Sequence, residues 1–105
     1  MSPIDRAEIN ARVYASTLKC SIAEITPRRI LAYHGVWYKQ VPPVAIVASI
    51  TLDSEGNPID WAAYLGHCHG ESDEEVVEGV RARGSKLPPE LARGLFPEID
   101  AEYRP

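Results

Sequence analysis

Histidine, cysteine and histidine stand side by side at His67-Cys68-His69, the sharpest chemical signal in the chain. In an extended strand, side chains alternate between faces, so His67 and His69 point the same way. Two imidazoles at that spacing could hold one zinc ion, with His34, Glu71 or Asp73 completing the set. No second spaced Cys/His pair accompanies them, so the motif falls short of a zinc-finger pattern. The plainer reading makes His67 a hydrogen-bonded residue at the end of a core-facing stripe. Cys68 points away from both histidines, and a nucleophilic thiol needs a base within reach. Only His34 could serve, if the fold brought it there; a small buried thiol is the simpler expectation.

The charged residues offer weaker chemistry. Asp53, Glu55 and Asp60 surround a polar turn, but their spacing does not match a calcium loop. Asp73, Glu74, Glu75 and Glu78 form an acidic run that helix capping explains. Arg28 and Arg29 lead a scattered basic set with Arg81, Arg83, Lys86 and Arg93. Beside Tyr33, Trp37 and Tyr38, which suit base stacking, they would make an anion or nucleic-acid patch. A net charge of −4 argues against that partner. The aromatic residues Trp37, Tyr38, Tyr33 and Tyr64 are the expected interaction surface, because Trp and Tyr dominate interface hot spots and an edge strand invites pairing.

The elements that must position these residues centre on a β-hairpin, about 44–53 and 58–69. Val44, Ile46, Ala48, Ile50 and Leu52 alternate on one arm; Ile59, Trp61, Ala63 and Leu65 alternate on the other. Setting Leu52 opposite Ile59 pairs Ile50 with Trp61, Ala48 with Ala63 and Ile46 with Leu65, all on one face. Ser54-Glu55-Gly56-Asn57 is left as the turn, and Gly56 and Asn57 tolerate positive φ. The opposite face, Ala45, Val47, Ser49 and Thr51 against Gly66, Tyr64, Ala62 and Asp60, is small enough for a helix or another subunit to approach.

Ser2-Pro3 caps a helix expected over about 3–19, with Ile4, Ala7, Ala11, Tyr14 and Leu18 buried and Ile9 and Val13 widening the stripe. Its β-branched second half also permits a strand. Thr26-Pro27 is a break. The segment 27–35 is open between helix and strand, while 36–41 reads as strand. Ser72 and Glu75 cap a helix over about 73–83, ended by Gly84 as the C′ residue, with Gly79 a cost inside it. Pro88-Pro89 starts a short helix with Leu87, Leu91 and Leu95 in its stripe, stopped by Pro97. The tail 98–105 is expected to fray, with Ile99 and Tyr103 as anchors.

At 105 residues and 45% hydrophobic, the chain is expected to form one α+β domain: a small antiparallel sheet, an N-terminal helix and two C-terminal helices. No apolar run spans a membrane, the N-terminus lacks a secretory signal, and the distant Cys20 and Cys68 fit a reducing cytoplasm. No phosphate loop, dinucleotide fingerprint or nucleophile elbow occurs, and zinc at His67 and His69 is the one cofactor suggested. The expected function is a non-catalytic accessory or protein-interaction module that forms homo-oligomers. The alternative is a metal-dependent or Cys/His enzyme at 67–69; nucleic-acid binding comes third.

Overall fold

Alternation on two arms joined by a polar turn admits one solution, and the computed structural model places that hairpin at the centre of the sheet. Residues 2–18, 20–37, 44–67, 72–97 and 99 are described. The elements are α1 (Pro3–Leu18), β1 (Ser21–Ile25), β2 (Arg29–Trp37), β3 (Val44–Leu52), β4 (Pro58–His67), α2 (Asp73–Arg83), β5 (Ser85–Lys86) and α3 (Pro89–Leu95). The five strands lie in chain order. Each pairs antiparallel with the next, giving the expected α+β architecture.

The expected register holds over most of the hairpin, with Ile50 opposite Trp61, Ala48 opposite Ala63, Ile46 opposite Leu65 and Val44 opposite His67. It departs at the turn. Leu52 faces Pro58, so Ile59 is an extra residue between the Leu52 and Thr51 positions. The Asp53 carboxylate causes this, because its Oδ1 accepts the N–H groups of Glu55 and Asn57, both at 2.9 Å. The Asp53 N–H donates to the Asn57 carbonyl at 2.8 Å, and the tightened tip brings Pro58 level with Leu52. Proline, with no N–H to give the ladder, suits such a bulge. Ile59, expected in the core, is instead 56% exposed.

Gly56 takes φ +87° at this tip, and a Cβ there would lie 2.4 Å from the Pro3 carbonyl oxygen. The Asn10 amide donates to the Gly56 carbonyl at 3.0 Å. The hairpin tip is therefore seated against the first half of α1. That helix starts where Ser2 and Asp5 cap each other: the Asp5 N–H donates to Ser2 Oγ and the Ser2 N–H to Asp5 Oδ2. The hydrogen bonds from Ser2 hold the Asp5 carboxyl below its usual range.

Segment 27–35 resolves as strand from Arg29 onward. Pairing with β1 on one edge and β3 on the other satisfies its backbone, with Ile30 opposite Ile50 and Ala32 opposite Ala48. Thr26 makes the preceding turn, its Oγ1 accepting from the N–H groups of Arg28 and Arg29. The β-branched run after α1 divides at Leu18: helix up to it, then β1 from Ser21.

Each face of the sheet carries its own core. On one, Ala7, Ala11 and Tyr14 of α1, and Ala92 and Phe96 at α3, cover Ile30, Ala32, Ala48, Ile50 and Ala63. On the other, Val76, Val77 and Val80 of α2 cover Leu31, Tyr33, Ala45 and Val47. The small-residue face thus receives a helix. Ile9 and Val13 do not widen the α1 stripe; they are exposed, because one turn of small alanines already fills the gap to the sheet. Leu91 is likewise 53% exposed, and Leu87, Ala92 and Phe96 form the buried stripe of α3. Gly84 ends α2 as its cap with φ −74° and ψ 169°, an extended rather than left-handed residue. Glycine is needed there for closeness: a Cβ would lie 2.5 Å from the Val80 oxygen and 2.7 Å from the Leu65 oxygen. Ile99 is buried, as its anchoring role requires; Tyr103 lies outside the described residues, as do Pro42 and Pro43.

Candidate interaction cleft

The two-residue β5 leaves β4 partly uncovered. It pairs only Ser85 with Leu65 and Lys86 with Tyr64. One further bond runs from the Leu87 N–H to the Ala63 carbonyl at 2.9 Å. Alternate residues of an antiparallel strand turn both backbone groups to the same edge, so Trp61 faces that edge with Ala63. The Trp61 N–H donates to its neighbour's side chain, Asp60 Oδ1, at 2.8 Å.

Below this stretch, between β4 and α3, lies a half-enclosed depression of about 270 Å³. Trp61, Ala63, Leu87, Pro89 and Ala92 supply its apolar lining; Asp60, Lys86 and Arg93 supply its charges. Trp61 is half-buried, its ring edge-on to Phe96 with centroids 6.0 Å apart and planes at 69°. That arrangement suits the ring quadrupoles and fixes one wall of the cleft against a fully buried partner. Cofactor and drug-sized pockets run from about 300 to 1,000 Å³. This cleft falls just below that range.

Of the residues expected to form the aromatic surface, Tyr33 and Tyr64 both lie on the α2 face, each opposite Val47. Tyr33 is 7% exposed. Its hydroxyl donates to Asp73 Oδ2 at 2.8 Å, which ties β2 to the start of α2. Tyr64 is half-buried against the α2 core. Trp37 ends β2 opposite Val44; Tyr38 lies outside the described residues. His67 is exposed at the end of β4, and Cys68 and His69 lie outside the described residues. His34 is the extra residue of a bulge between Tyr33 and Gly35. Among the described residues, no group of three or more His, Cys, Asp or Glu is placed to hold a metal ion.

The two arginines part company. Arg28 is exposed in the β1–β2 turn. Arg29 is neutralised by Glu24 at 2.8 Å and Glu78 at 2.9 Å, and Glu78 also meets Arg81 at 2.7 Å. This ladder fastens α2 across β1 and β2. The Arg81 hydrogen bond, then Arg29, hold the Glu78 carboxyl below its usual range, while the same bond raises Arg81. Cys20 is a free buried thiol donating to the Tyr14 carbonyl at 3.4 Å. Burial pushes its pKa up, which disfavours the thiolate.

The cleft escaped the sequence because Trp61 and Ile59 both read as core. Pro58, which stands level with Leu52 at the bulge, was the available signal. No protein-family model, curated protein or solved structure matches the chain. Fold and cleft together define a class only: an antiparallel meander with helices on both faces and a recessed apolar notch at one edge.

Proposed function

We propose that this protein is a small non-catalytic interaction module that associates with itself through the incomplete edge of its sheet. The observation that carries this reading is the β4–α3 cleft, walled by a tryptophan held against Phe96, on a strand that also exposes Ile59. Trp in a preformed notch is the usual anchor of a protein interface. The groups with displaced pKa values support the same reading, since Asp5 caps a helix, Cys20 fills the core, and Glu78 and Arg81 hold α2 in place. Arg29, drawn into that ladder, leaves little for a nucleic-acid backbone. No helix among the described residues is long and apolar enough to cross a membrane. A reducing cytoplasmic setting belongs to the reading and is supported by the free Cys20 thiol. Sedimentation equilibrium from low-micromolar to near-millimolar protein tests it: mass rising with concentration is expected, and a monomer throughout would refute self-association.

A further inference from the structure

We draw no further inference here: the strongest candidate, the apolar stripe that Ile9 and Val13 expose along α1, is a surface patch, and nothing in the structure shows what covers it.

Discussion

Replacing Gly56 by alanine tests the seating of the hairpin tip under α1. Alanine in the left-handed region costs about 1–2 kcal/mol. The added Cβ would sit 2.4 Å from the Pro3 oxygen, 3.0 Å from Arg6 Cβ and 3.2 Å from the Pro3 carbonyl carbon. Two of these are backbone atoms and cannot rotate aside, so the start of α1 must lift. Lifting weakens the Asn10–Gly56 hydrogen bond, which contributes about 0.5–1.5 kcal/mol. Lower backbone entropy in the unfolded alanine chain returns about 0.4–1 kcal/mol. With the clash included, the net loss is about 2–3 kcal/mol, a fall in Tm of at least about 8 °C for a domain this size. Gly84→Ala isolates the contact term, since φ is ordinary but a Cβ would meet two carbonyl oxygens, and a loss is again expected. Gly94→Ala meets nothing within 4 Å and should gain up to about 0.5–1 kcal/mol. Urea and thermal unfolding followed by circular dichroism give all three values. A Gly56→Ala protein as stable as wild type would refute the described packing of tip against helix.

Three further outcomes follow from the packing and the charges. Phe96→Ala should cost about 3–5 kcal/mol while Leu91→Ala stays within about 0.5 kcal/mol, by denaturant melts; equal effects would mean α3 is rotated. Because the folded Glu78 pKa lies below its ordinary 4.5, its contribution is complete above that value and disappears as pH falls through the lower folded value. Wild type should therefore lose more stability than Glu78→Gln on acidification below about 4.5, by no more than about 1 kcal/mol for so exposed a pair, and high salt should shrink the gap. In a Cys68→Ser background, Cys20 should react with a thiol reagent only as fast as the core opens, so that denaturant speeds the reaction; prompt labelling in native buffer would place Cys20 outside the core.

The hairpin was legible because its alternation persists through both arms, and a one-residue slip would put Ile50 and Trp61 on opposite faces. The cap at Ser72 and the end of α2 were equally plain, since capping chemistry is local. The strand at Arg29–Trp37 was not: the eight residues from Arg28 to Gly35 fit either period, and only the strands beside it decide. Ile59 was misplaced because its bulge depends on three hydrogen bonds inside the turn. The α3 stripe was misread for a similar reason. Leu87, Leu91 and Leu95 carry the helical spacing, yet only Leu91 is left out, because burying Phe96 against Trp61 turns the helix to that side. The cleft is the joint product of these last two effects, so no single segment announces it.

The Asp60 carboxylate resting on the Trp61 amide has a consequence for what this surface cannot become. An open strand flank ordinarily recruits more chains, one backbone after another, towards fibrils. Here the main-chain donor that such growth would seize at Trp61 is already occupied by its own neighbour. Strand addition at this margin therefore finds one donor fewer, at the residue where the sheet is least covered.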